Sequence, residues 1–324
     1  AAGFLLAADA PEIEALGDQL IETEDAETAL GSARLTGERA RTTGKLRKFA
    51  ALLREGSYVE AIIDPAQPDR QPAPRPDIRR MLFPIGPVAV FSASNFPFAF
   101  AVAGGDSASA WAAGCPVIVK GHPSHPATSE LFAHAINRAV AESGFPPGFF
   151  SLVQGELIDV GQTLVKQPGI AAVAFTGSLR GGRALFDTAA QRPTPIPVYA
   201  EMGSVNPLII LPGALGQRGQ SIAEGFVQSV TLGSGQYCTN PGLVFVIESP
   251  QAEKFIATVT GLMAAAPPGV LLNASVERGL VQVVDHTLAQ PGVERLTGGS
   301  LVEGAPYCYA NTALQTTAAA FRDN

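Results

Sequence analysis

Between Met81 and Thr176, four short apolar runs alternate with longer stretches of helical character: Val88-Ala89-Val90-Phe91, Val117-Ile118-Val119-Lys120, Phe150-Ser151-Leu152-Val153 and Ala172-Val173-Ala174-Phe175. Parallel strands need a crossover of a dozen or so residues, commonly a helix. The spacing predicts helices over about Ala99 to Ala113, Ser124 to Ser143 and Asp159 to Lys166. Gly114-Cys115-Pro116 breaks the first, and Gly144-Phe145-Pro146-Pro147-Gly148 closes the second. The alternation predicts an α/β fold with a parallel, doubly wound sheet. Its crossovers are expected to be right-handed, with ligands beyond the carboxyl ends of the strands.

The flanks differ in character. Residues 1 to 56 carry apolar positions three and four apart, such as Ile13, Leu16 and Leu20, then Leu46, Phe49, Leu52 and Leu53. They read as helical scaffold with no chemistry of their own. Residues 57 to 81 hold too many prolines for a helix or a central strand, so an extended arm, an edge hairpin or a surface loop is expected. A chain of 324 residues exceeds what one core usually supports, so two domains are expected. The net charge of −7 argues against nucleic acid or an anionic membrane as partner. Cys115, Cys238 and Cys308 are an odd count without a close pair, which points to free thiols in a reducing compartment, the cytoplasm. No apolar run is long enough to span a bilayer, and the apolar start lacks the basic region of a signal peptide. The chain opens in helix and stops at Phe321-Arg322-Asp323-Asn324 without a closing element, which reads as an interior piece of a longer protein.

Chemically suggestive groups gather at the strand ends. Asn95 follows the first strand, Lys120 ends the second, and Thr176-Gly177-Ser178 follows the fourth. Phe175 to Arg183 reads as strand, glycine turn and helix, and a helix N-terminus of that kind attracts anions. It is not the usual G-x-G-x-x-G, so a dinucleotide site and an ordinary capped helix both stay open. Lys120 is either a solvated strand-end lysine or a ribose or phosphate contact. His122 and His125 flank Pro123-Ser124, but no Cys or carboxylate completes a metal set, and no metal is expected. Glu201 ends the apolar run Ile196 to Ala200 just before a glycine, as a turn acid or a general base. Cys238 lies 37 residues further on, in Gly233-Ser234-Gly235-Gln236-Tyr237-Cys238-Thr239-Asn240-Pro241-Gly242, after a helix-like run from Ile222 to Leu232. That intervening helix can fold the two face to face. A structural cysteine normally sits inside an apolar periodic segment, whereas a reactive thiolate needs nearby N–H groups and access. Beyond it the chain reads as strand Leu243 to Ile247, helices Gln251 to Ala265 and about Asn273 to Leu288, and a strand from Gly292 to Leu296. Cys308 is read as structural.

Taken together, Ser94-Asn95-Phe96-Pro97, Phe175-Thr176-Gly177-Ser178 with Gly182, Glu201-Met202-Gly203 and Gly235-Gln236-Tyr237-Cys238-Thr239 resemble the motifs of aldehyde dehydrogenases in order and spacing. The strings Gly105-Asp106-Ser107-Ala108-Ser109-Ala110, Pro197-Val198-Tyr199-Ala200-Glu201 and Cys238-Thr239-Asn240-Pro241-Gly242 are similar to the branch acting on α-ketoglutarate semialdehyde, and to bacterial long-chain fatty-aldehyde enzymes. The resemblance implies a Rossmann-type cofactor domain over 1–201, with 57–81 as an oligomerisation arm, and an α/β catalytic domain over 202–324, both truncated at the chain ends. It implies Cys238 as nucleophile, Asn95 with the Cys238 N–H as oxyanion donors, and Glu201 as the base that activates water. Ser94, Lys120, Gly177, Ser178, Arg180 and Gly182 fall at cofactor-binding positions. The implied cofactor is NADP or NAD, and the implied assembly a homodimer or homotetramer. Where the family usually carries a glutamate for the adenosine ribose, this chain has Pro123, which removes repulsion against a 2′-phosphate, with Arg180 and Lys120 available to neutralise it. Ser204 replaces a second family glycine after Glu201-Met202-Gly203. The chain ends before the family's Glu-x-Phe-Gly-Pro segment, which grips the nicotinamide ribose. Long-chain fatty-aldehyde oxidation, CoA-acylating oxidation and a non-catalytic cofactor-binding relative stand as the alternatives.

Overall fold

The computed structural model describes residues 2–323, which divide into two compact units. The first holds residues up to 27 together with 31–202, and the second holds 28–30 and the chain from 203 onward.

The first unit opens with three helices, α1 (Ala2–Glu14), α2 (Gly17–Thr28) and α3 (Ser32–Glu55). Helix α1 packs on α3, and Leu5, Leu6, Ile13, Leu35 and Leu46 from the pair are buried, as the three- and four-residue spacing requires. The proline-rich stretch is an antiparallel hairpin of β1 (Ile62–Asp64) and β2 (Ile78–Arg80), with Ile63 64% and Phe83 74% exposed.

Five strands then form one all-parallel sheet in the order β5-β4-β3-β6-β7, from β3 (Val88–Phe91), β4 (Val117–Lys120), β5 (Phe150–Val153), β6 (Ala172–Thr176) and β7 (Val198–Glu201). The connecting helices are α4 (Gly105–Ala112), α5 (Pro126–Glu142), α6 (Ile158–Lys166) and α7 (Leu179–Ala190). From β3 the chain first winds outward through β4 and β5, then returns to β6 on the other side. That reversal leaves a crevice beyond the carboxyl ends of β3 and β6, where doubly wound sheets bind ligands.

In this unit one element differs from the sequence reading. The helix expected from Ala99 is confined to α4, and residues 97–104 are turns. The physical reason is hydrogen bonding. The N–H groups of Phe98 and Ala99 donate to the Glu38 carboxylate, and the Phe100 carbonyl accepts from Ala93 N, so these groups are held outside any helical ladder.

In the second unit, β8 (Pro207–Ile210) pairs in parallel with β9 (Leu243–Val246) across α8 (Pro212–Thr231). Helix α8 begins ten residues before the expected Ile222 and leaves helical geometry at Arg218, so the apolar period restarts there. Only its second half is visible as a continuous pattern. Ile210, Leu215, Val227, Phe255, Val259 and Met263 form the core beneath α8 and α9 (Pro250–Ala265). Helix α10 (Ala274–Leu288), the antiparallel pair β10 (Val293–Thr297) and β11 (Ala313–Thr316), and α11 (Ala318–Asp323) complete the unit. Among the described residues no helix is long and apolar enough to cross a membrane.

Candidate active site

Eight of the nine residues singled out from the sequence belong to the first unit, at or just beyond the carboxyl ends of its strands. Ser94 and Asn95 lie in the loop after β3, both partly buried. Lys120 ends β4, in register with Phe91 of β3 and Val153 of β5. Burial pushes its ammonium below the usual lysine range, opposed by the charge of Glu156. Glu201 ends β7 opposite Thr176, and its carbonyl accepts from Gly177 N at 3.0 Å. Its carboxylate is exposed to solvent.

Gly177, Ser178, Arg180 and Gly182 form the β6–α7 junction. The Ser178 side chain caps α7 by accepting from Gly181 N at 3.1 Å, so the capped-helix reading holds. A dinucleotide site is not displaced by it. Gly182 is buried, and a Cβ there would lie 2.6 Å from Met202 Sδ, so the glycine leaves the space that the methionine side chain occupies. Close packing behind a glycine turn, at a switch-point crevice, is compatible with a dinucleotide phosphate at the N-terminus of α7. Arg180 is exposed in the first turn of α7.

Further residues join this region. Thr176 Oγ1 donates to Asp106 Oδ2 at 3.0 Å, linking the first turn of α4 to the strand paired with Glu201. Burial raises the Asp106 pKa above the ordinary carboxylate range; the Thr176 hydrogen bond and Lys45 oppose this, and the Glu201 charge adds to it. His125 is fully buried, with Nε2 donating to Ala93 O at 3.1 Å. His122 stacks on it at 5.6 Å between ring centroids. Among the described residues no group of three metal-ligating side chains forms.

Cys238 belongs to the second unit, in a partly exposed turn after α8 and before β9. The turn is built from left-handed backbone at Gly233, Ser234 and Gly235, and a Cβ on Gly235 would lie 2.8 Å from Asn240 Nδ2. Asn240 Nδ2 donates to Gly235 O at 2.6 Å. Gln236 ties the same turn to the segment before α10, accepting from Leu272 N at 3.0 Å. The main clamp is Asn206, whose Nδ2 donates to Cys238 O at 2.7 Å and to Asn240 O at 3.0 Å. Its position just before a strand proline carried no signal in the sequence beyond a preference for left-handed backbone, which it adopts at φ 48.

The family model described as "Aldehyde dehydrogenase family" matches residues 4–286. The chain is 52% identical over 298 residues to alpha-ketoglutaric semialdehyde dehydrogenase 2 of Azospirillum brasilense, and 47% identical over 292 residues to alpha-ketoglutaric semialdehyde dehydrogenase of Acinetobacter baylyi. These alignments cover 92% and 90% of this chain but 57% and 55% of those relatives, so the chain spans little more than half their length. A crystal structure of succinate-semialdehyde dehydrogenase from Burkholderia pseudomallei superposes with a TM-score of 0.80 at 26% identity, over 97% of this chain and 63% of that one.

Proposed function

Because the chain belongs to the aldehyde dehydrogenase family, we propose that the protein oxidises α-ketoglutarate semialdehyde to α-ketoglutarate with NADP or NAD. The observation that carries the reading is the Cys238 turn, where left-handed glycines and the Asn206 clamp hold a partly exposed cysteine in irregular backbone. The two relatives named for this substrate support the choice of aldehyde.

In this mechanism the Cys238 thiolate attacks the carbonyl carbon, and the carbonyl electron pair moves to oxygen. The Asn95 side-chain amide and the Cys238 N–H donate to that oxyanion; removing one such donor typically costs about 10²–10³ in rate. A bound nicotinamide dinucleotide supplies the acceptor for the hydride released as the thiohemiacetal becomes a thioester. Glu201 then takes a proton from water, the resulting hydroxide adds to the thioester, and the C–S bond breaks to return the thiolate. Lys120 and the capped N-terminus of α7 would hold the cofactor's ribose and phosphates. Pro123 offers no carboxylate to repel a 2′-phosphate, which favours NADP, with exposed Arg180 as a counter-charge.

The three cysteines are unpaired, which suits the cytoplasm. The exposed apolar hairpin carrying Ile63 and Ile78, with Phe83 just beyond it, is the surface proposed to pair copies of this chain into a homodimer or homotetramer, readable by sedimentation.

The test is absorbance of reduced nicotinamide with α-ketoglutarate semialdehyde and each dinucleotide. Turnover that vanishes in Cys238→Ala is the expected result. Equal turnover in that variant would exclude Cys238 as nucleophile.

A further inference from the structure

Helix α3 does more than pack against α1 and α4. Arg34, Glu38, Arg41 and Lys45 recur at intervals of four, three and four, and so share one face. That face lies along the loop that carries Asn95. Arg34 donates to the Asn95 carbonyl, and its guanidinium sits 5.2 Å from the centre of the Phe96 ring. Glu38 Oε1 accepts from both Phe98 N and Ala99 N at 2.9 Å. Arg41 lies over the Phe96 and Phe100 rings, and Lys45 over Phe100. From the opposite side, His125 Nε2 donates to Ala93 O.

The loop is thus gripped at residues 93, 95, 98 and 99 by side chains from α3 and from His125, the residue that precedes α5. Glu38 is only 5% exposed, its Oε2 has no hydrogen-bond partner, and burial raises its pKa against the pull of the two N–H groups and of Arg34 and Arg41. A buried carboxylate is costly unless it is paired or hydrogen-bonded. An apolar residue at this helix position would fill the space without that cost, so the carboxylate is explained by the two backbone donors it holds.

We infer that Glu38, with Arg34, is a positioning residue for the oxyanion-stabilising step: it fixes the backbone on either side of Asn95 and thereby the direction of the Asn95 amide. The inference rests on the role given to Asn95 above. A donor raises the rate only if it stands where the oxyanion will form, before it forms. Loosening the loop should therefore slow formation of the thioester more than it weakens substrate binding.

The experiment is a double-mutant cycle on the purified protein, reading the pre-steady-state burst of reduced nicotinamide, the aldehyde KM and the urea midpoint. Asn95→Ala alone should lower the burst rate by about 10²–10³-fold. Glu38→Leu should lower it by about 10- to 100-fold, with KM changing less than about threefold. Glu38→Gln keeps an oxygen facing the two N–H groups and should restore the rate to within about threefold of the parent. In the Glu38→Leu background, Asn95→Ala should cost less than about tenfold more, because the amide is already misplaced. Arg34→Met, which removes the contact to the Asn95 carbonyl but no buried acceptor, runs through the same cycle and should show the same shortfall. Losses that simply multiply in the Arg34 cycle, or in the Glu38 cycle, would overturn the inference. An Asn95→Ala protein with an undiminished burst would instead overturn the role of Asn95 itself.

Discussion

In the proposed mechanism Cys238, Asn95 and Glu201 do different work, and the structure sets each differently. Glu201 stands exposed at a strand end, free to meet water, while its own backbone is tied to Gly177. A base that serves only the hydrolytic half of the reaction leaves a clear kinetic mark. Glu201→Gln should keep the burst of reduced nicotinamide at near-parent amplitude and lower steady-state turnover by about 10²–10⁴-fold. Rapid mixing separates the two phases, and loss of the burst itself would move Glu201 to the earlier step. Asn206 makes a second prediction at this scale. Its amide holds the carbonyls of Cys238 and Asn240, so Asn206→Ala should cost about 1–3 kcal/mol of stability. It should also lower kcat more than it raises KM. Urea unfolding and steady-state kinetics on the one variant give both numbers.

Among the elements, the turn after α8 is the most demanding stretch of backbone. Gly235 has φ 73, and its missing Cβ makes room for the Asn240 amide that closes the turn. Gly235→Ala should destabilise by about 1 kcal/mol or more and slow Cys238 acylation, whereas the same change at Gly225, in α8 with open space around it, should be neutral or stabilising. Comparing the two variants by thermal melting and burst kinetics isolates the turn from general effects of adding a methyl. The β6–α7 junction obeys a related rule. It combines a serine cap with a glycine packed on Met202, so one junction both ends a strand and presents a helix N-terminus. Helix α3 has no chemistry of its own, yet its Arg34 and Glu38 side chains reach another loop and hold backbone groups of Asn95, Phe98 and Ala99.

For the molecule as a whole, the buried titratable groups predict how stability depends on pH. His122 is held down to about pKa 3, by burial first and then by the charges of His125 and Lys120. Between about 3 and its ordinary value of 6.5 the unfolded chain binds the proton and the folded chain does not. Stability should therefore be lost as pH falls through that window, at up to about 1.4 kcal/mol per pH unit, and His122→Asn should flatten the slope. Asp9 acts in the opposite sense. It is fully buried without a hydrogen-bond partner, and burial raises its pKa well above 3.8, so the folded chain holds the proton longer. Stability from this group falls as pH rises above 3.8, and Asp9→Asn should gain most over the parent at neutral pH. Urea midpoints at a series of pH values check both signs. The sequence by itself determined the parallel sheet and most helix positions, and it supplied the residues proposed for the chemistry, because strand length, apolar period, glycine turns and a short motif are local. It had no means of showing that residues 97–104 leave the helix, that α8 starts at Pro212, that Asn206 holds the Cys238 turn, or that Glu38 holds the loop of Asn95. Those outcomes depend on single hydrogen bonds between groups roughly thirty to sixty positions apart or on one residue leaving helical geometry, as at Arg218. Such contacts leave no period in the chain, and only the folded backbone brings their partners together.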